Sequence, residues 1–127
     1  MRLKTQVKPV PTEDTEQTWL FQWARLQSGK WPELSLLYAI PNGGRRPIKT
    51  AVNMKRTGTK AGVPDMFLPV ARGGFHGMYI EMKRTKGGHV SDEQKSGIKA
   101  LTEQGYKCVI TKGWEDAAEQ ITAYISA

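Results

Sequence analysis

The sequence predicts a mixed α/β domain, with a central mixed sheet flanked by helices in the order α-β-β-β-α-β-α. Three observations predict it. Apolar residues recur at helical spacing near both ends, at Trp19, Leu20, Trp23 and Leu26 and again at Trp114, Ala117, Ala118, Ile121, Tyr124 and Ile125. Between them lie short apolar runs bounded by Gly and Pro, which read as strands. The chain has 127 residues, 39 % of them hydrophobic, which suits a single domain over residues 1–127 with one core.

Each element has its own signal. Residues 1–11 read as a flexible N-terminal arm closed by Pro9 and Pro11. The first helix begins at Thr12 to Asp14, where capping residues and acids cluster, and ends at Gly29 and Pro32. Leu34 to Ile40 reads as a first strand entering the turn Pro41-Asn42-Gly43-Gly44. Residues 45–63 are polar and basic, with a helical turn around Thr50 to Lys55. Pro64 to Val70 and Gly77 to Lys83 read as a second and third strand, joined as a hairpin through Arg72-Gly73-Gly74. Ser91 to Gln104 is a helix stopped by Gly105, Lys107 to Thr111 a fourth strand, and the stripe from Trp114 to Ile125 a last helix.

Composition narrows the function classes. No apolar run approaches the ~18 residues that span a bilayer, so no membrane partner is expected. Met1 to Lys8 is basic without a following apolar run, which does not make a secretory signal. Cys108 is the one cysteine, so no internal disulfide forms; it reads as a buried strand thiol in a reducing, cytoplasmic setting. His76, His89 and Cys108 lack zinc-site spacing. The net charge of +7 favours a polyanionic partner, nucleic acid rather than membrane, since no basic amphipathic helix is visible.

The chemistry-bearing residues begin on the third strand, Met78-Tyr79-Ile80-Glu81-Met82-Lys83. Side chains alternate along a strand, so Met78, Ile80 and Met82 share a core face while Tyr79, Glu81 and Lys83 share the other. Ionic groups seldom go inside without a partner or a metal. Asp65 stands at the mouth of the second strand, and hairpin pairing brings it near Glu81 at the end away from the turn. Two carboxylates held together repel unless a proton or cation intervenes. A hard divalent ion such as Mg²⁺ resolves that conflict. Glu16, three residues before Trp19 and four before Leu20, shares the apolar stripe of the first helix. It reads either as a third acid at the site or as a favourable acid in a first helical turn. Gln94 also has two readings. It has capping-box spacing from Ser91, and it lies on the same helical face as Ile98 and Leu101, where it would steady Lys83 or a water molecule.

From Leu34 to Pro64 there is no Asp or Glu, while Arg45, Arg46, Lys49, Lys55, Arg56 and Lys60 fall within that stretch. Such a run draws a phosphate backbone or forms a solvated loop. Asn42, Gly43 and Gly44 are turn residues whose backbone N–H groups would also suit a phosphate. No base-reading element such as a recognition helix is visible.

Taken in order, Glu16-Gln17, Ile40-Pro41-Asn42-Gly43-Gly44, Gly58 with Lys60-Ala61-Gly62-Val63-Pro64-Asp65, Ile80-Glu81-Met82-Lys83, Ser91 with Gln94, and Gly105-Tyr106 resemble the VRR-NUC (virus-type replication-repair nuclease) pattern of the PD-(D/E)XK superfamily. The resemblance spans about residues 13 to 125 and is closest to small stand-alone phage and bacterial members. It implies a restriction-endonuclease-like core and an Mg²⁺-dependent DNA endonuclease, with Mn²⁺ able to substitute. It implies that Asp65, Glu81 and Glu16, with the backbone carbonyl of Met82, bind metal. Lys83 would act on the attacking water or the transition state, and Gln94 would support the site. It further implies branched DNA, four-way (Holliday) junctions above all, and a homodimer. A flap or single-strand-end nuclease and a non-catalytic nucleic-acid-binding module are the other readings the sequence leaves open.

Overall fold

A computed structural model of the chain describes residues 8–41 and 48–127, and the side chains among these except those of residues 48–51. Helix α1 (Glu13–Gln27) leads through a 3-10 turn (Pro32–Leu36) to strand β1 (Tyr38–Ala39). Helix α2 (Ile48–Arg56) precedes strands β2 (Met66–Leu68) and β3 (Met78–Lys83). Helix α3 (Asp92–Glu103), strand β4 (Lys107–Lys112) and helix α4 (Gly113–Ile125) complete the chain. The four strands form one sheet in the order β1-β2-β3-β4, antiparallel at the first two pairings and parallel between β3 and β4. This is the mixed sheet flanked by helices that the sequence predicts. None of the described helices is long and apolar enough to cross a membrane.

Local chemistry sets the boundaries. Thr12 caps α1, its hydroxyl accepting from the Thr15 amide at 3.1 Å. The apolar run from Leu34 yields only a two-residue strand, because Pro32 starts a 3-10 turn that consumes its first half. The helical turn foreseen near Thr50 is a nine-residue helix. The hairpin between β2 and β3 is tighter than the run Pro64 to Val70 suggests. Only Met66 to Leu68 pair, and Arg72 and Phe75 close the turn with a bridge.

Periodicity then decides the layers. Met78, Ile80 and Met82 on β3 and Met66 and Leu68 on β2 are fully buried on one sheet face. Leu20 and Ala24 of α1 and Ala117, Ile121 and Tyr124 of α4 close over them. Each such aliphatic side chain contributes roughly 1.5–3 kcal/mol on leaving water. Trp23, Trp31 and Trp114 pack partly against this core, while Trp19 and Leu26 stay exposed. The Tyr124 hydroxyl donates to the Val70 carbonyl at 2.6 Å, and Arg72 bridges Glu33 at 2.9 Å, tying the hairpin to α4 and the 3-10 turn.

Helix α3 lies on the opposite face and has no fully buried residue; Gln94, Gly97, Ile98 and Leu101 form its half-buried side. Its closest approach is backbone to backbone. A Cβ on Gly97 would collide with the Gly62 carbonyl, and one on Gly62, at φ +86°, would collide with the Glu93 carbonyl. Alanine at position 97 would gain about 1 kcal/mol of helix propensity, but overpacking of this kind costs about 1–3 kcal/mol. Gly97→Ala is therefore expected to destabilise the fold by on the order of 1 kcal/mol, read as a lowered urea midpoint at unchanged slope.

Candidate active site

The register of the hairpin builds the site. Met66 pairs with Ile80, so the next position places Asp65 opposite Glu81. The Asp65 backbone is fixed by β1, where the Ile40 amide donates to its carbonyl at 2.7 Å. Its carboxylate Oδ2 accepts from the Met82 amide at 2.9 Å, just past the end of the β2 ladder. In a strand, a residue's N–H and C=O point toward the same neighbour, so the Met82 carbonyl is turned to the Asp65 side as well.

Glu81 and Lys83 follow on the same face, 2 % and 5 % exposed. Lys83 Nζ lies 3.3 Å from Glu81 Oε2 and donates to Gln94 Oε1 at 2.9 Å. Gln94 Nε2 donates to Glu81 Oε2 at 3.0 Å. The same Gln94 Oε1 accepts from the Ser91 amide at 3.0 Å, and Ser91 Oγ accepts from the Gln94 amide at 3.1 Å. The two readings of Gln94 therefore hold together: it completes a capping box and clamps Glu81 to Lys83 with both ends of one amide.

One atom remains without a partner. Glu81 Oε1 is buried and accepts no hydrogen bond. Burial, and then the Asp65 carboxylate beside it, push the Glu81 carboxyl from its ordinary value near 4.5 up to about 8, against the opposing pull of Lys83. Two carboxylates, one with an orphaned oxygen, and the Met82 carbonyl form a donor set of hard oxygens. That set fits a Mg²⁺-sized cation that keeps several waters. Among the described residues, no cluster of three His, Cys, Asp or Glu side chains is placed to hold a metal.

Glu16 does not join this set. It is buried on the inward stripe as expected, but that stripe meets the start of α4 rather than the acids. Glu16 Oε1 accepts from the Trp114 amide at 3.0 Å, beside Gly113 at φ +83°, so the carboxylate satisfies an otherwise free N–H at a helix start. Of the three acids the sequence singled out, the structure brings Asp65 and Glu81 together and holds Glu16 at the start of α4. The α1 residues that wall the cleft are Glu13, Asp14 and Gln17.

The cleft holds about 570 Å³ and opens between the first turns of α1 and the loop after β3. Asp65, Glu81, Lys83 and Gln94 line it, with Arg84, Gly87, Gly88 and His89 from that loop. Gly88 lies against the Lys83 stem; a Cβ there would sit 3.0 Å from Lys83 Cβ. Sequence reasoning missed this loop wall, whose only signal is Gly87-Gly88 beginning four residues after Lys83. Of the basic run, Lys55, Arg56 and Lys60 are exposed on and after α2, and Lys60 borders a separate shallow cleft with Ile40 and Pro41. Asn42, Gly43, Gly44, Arg45 and Arg46, residues 1–7 of the proposed arm, and the Lys49 side chain lie outside the described residues.

The sequence profile of the VRR-NUC domain matches residues 11–114. The chain belongs to the VRR-NUC family. A solved structure described as a VRR_NUC domain protein superposes with a TM-score of 0.79 at 33 % identity, covering 94 % of this chain and 92 % of that one. No curated protein sequence matches the chain. The sheet and its helices are thus the restriction-endonuclease-like VRR-NUC fold, and membership of this nuclease family makes DNA the substrate class.

The buried acid gives this VRR-NUC chain a pH signature when metal is absent. Because the folded state holds the Glu81 proton more tightly than the unfolded chain does, its contribution to stability is whole below about pH 4.5 and is lost as pH rises through about 8. Thermal unfolding in chelator should show Tm falling from pH 6 to pH 9. Mg²⁺ should restore Tm more at the higher pH, and Glu81→Gln should flatten both trends.

Proposed function

We propose that the protein is a Mg²⁺-dependent endonuclease that hydrolyses phosphodiester bonds in branched DNA. The observation that carries this is the orphaned, buried Glu81 Oε1 next to Asp65 and Lys83 in an open cleft. A purely structural carboxylate would have its acceptor atoms satisfied. Asp65, Glu81 and the Met82 carbonyl would hold the ion. When bound, Mg²⁺ supplies positive charge to the phosphate oxygens and acidifies water beside it.

The protein groups do the rest. Lys83, held by Gln94 and Glu81, orients the attacking water or balances charge on the transition state. Gln94 bridges the Lys83–Glu81 ion pair, accepting from the ammonium and donating to the carboxylate, and so holds both groups in place. Hydrolysis by analogy with the PD-(D/E)XK superfamily leaves a 5′-phosphate and a 3′-hydroxyl. The exposed Lys55, Arg56 and Lys60, with the further basic residues of that segment, supply attraction for the DNA backbone.

A four-way junction needs two matched cuts, which a two-fold homodimer supplies from two equivalent sites. An exposed apolar stripe on α1 supports a homodimer: Trp19 and Leu26 are 39 % and 83 % exposed, with half-buried Trp23 between them. Light scattering at micromolar concentration should give twice the chain mass; a monomer removes this part of the reading.

Cutting of labelled branched DNA should require Mg²⁺ or Mn²⁺ and stop in EDTA. Lys83→Ala should slow it by about 10²–10³-fold, and Asp65→Ala should bring it below detection. Binding without cutting under every metal would instead make the chain a non-catalytic module. Four-way, flap, splayed and linear substrates run side by side rank the branch shapes.

A further inference from the structure

The segment after β3 is pinned at two points. Gly88 comes back against Lys83, where a Cβ would lie 3.0 Å from Lys83 Cβ and 3.5 Å from the Arg84 carbonyl oxygen. The Thr85 methyl lies against Gly113 at the start of α4, 2.8 Å from where a Cβ would stand. The loop therefore closes on itself, and Arg84 and His89 both line the cleft that holds Asp65 and Glu81. A wall fixed in this way gives up little freedom when it takes a ligand.

The walls of this cleft differ in sign. From Arg84 to Val90 the chain carries Arg84, Lys86 and His89 and no acid. The first turn of α1 brings Glu13 and Asp14 to the cleft and no base. The two neighbouring cations also stand at different depths. Lys83 is 5 % exposed and engaged by Glu81 and Gln94. Arg84 is exposed and makes no ion pair among the described residues. A cation at the acids and an unengaged guanidinium one step outward match two successive phosphates of one strand. The guanidinium fork fits phosphate oxygens, and an imidazole donates an N–H in either charge state.

We infer that the loop after β3 is a backbone clamp: Arg84, assisted by His89, holds the DNA phosphate next to the one that is cut. Glu13 and Asp14 repel phosphate on the helix side, so the strand is gripped along the loop and not along α1. This rests on the nuclease reading of the cleft. It adds the direction in which the backbone leaves the acids and the residues that grip it.

Binding of a labelled four-way DNA junction is measured by fluorescence anisotropy in EDTA over a range of KCl concentrations. Arg84→Ala should weaken binding about tenfold and lower the slope of log affinity against log salt by about one. Arg84→Lys should keep the slope and recover part of the affinity. Lys99→Ala, which removes an exposed charge on α3, should change neither. The Glu13→Gln, Asp14→Asn double variant should bind more tightly than the parent. An uncharged methylphosphonate linkage, moved stepwise along one strand beside the branch, should weaken the parent at one position and cost Arg84→Ala nothing there. In Mg²⁺ that position should adjoin the cut, and Arg84→Ala should raise KM with kcat kept within about twofold.

An unchanged salt slope in Arg84→Ala, or a sensitive linkage remote from the cut, overturns the clamp. So does a fall in kcat at saturating DNA in the double variant, which would give Glu13 and Asp14 to a cation. The two readings fail separately. A parent that never cuts, yet whose sensitive linkage couples to Arg84, refutes the nuclease and keeps the clamp. A protein that cuts and is indifferent to Arg84→Ala does the reverse.

Discussion

Two carboxylates forced together, one of them buried and the other at the floor of an open cleft, are the constraint on which the rest of the structure depends. Backbone pairing sets Asp65 opposite Glu81, and neither side chain can turn away without breaking a strand or losing the bond to the Met82 amide. The local cation, Lys83, moderates the conflict without removing it, since one Glu81 oxygen is still unmatched. A buried charge pair of this kind is weak support for stability. It makes sense as a site whose missing counter-charge arrives with substrate chemistry, and the fold pays its cost elsewhere in a well-packed methionine-rich core.

The surrounding elements keep the acids and their helpers in fixed relation. Gln94 belongs to a helix, Glu81 and Lys83 to a strand and Asp65 to the end of a loop, yet all four meet within hydrogen-bond reach of a neighbour. The capping box fixes where α3 begins, and thereby where the Gln94 amide stands. The loop that follows Lys83 turns back over its stem through Gly88. An alkyl stem enclosed on its flank and an ammonium held at two points leave Lys83 little rotamer freedom, which is what a group acting on a small water molecule requires.

Much of this was legible before any coordinates. Strand alternation is strictly two, so a core of Met78, Ile80 and Met82 compels Glu81 and Lys83 onto one opposite face. The Pro-Asp before the preceding apolar run then sets the partner acid, given a hairpin. Helical stripes carry less. They show that Glu16 points inward, but not which neighbour it meets, and the neighbour proved to be the start of α4. Gln94 illustrates the reverse limit: spacing supports a cap and a buried polar contact equally, and only the fold shows one amide serving both. The cleft walls at Glu13, Asp14, Gln17 and His89 were not legible, because they come from segments far apart in sequence with no shared period. The first strand was overestimated because Pro32 diverts its opening residues into a 3-10 turn, a choice between two apolar-run conformations that hydrophobicity does not make.

The bond from Glu16 to the Trp114 amide joins positions 98 residues apart. Gln17, the next residue, is part of the cleft wall, so the helix that borders the acids takes its footing from the far end of the polypeptide. Synthesis from the N-terminus therefore delivers the segments that carry the acids well before the wall beside them has anything to stand on. The mouth of the cleft acquires its final shape only when the last helix docks, and that same helix closes the core behind the strands that carry the acids.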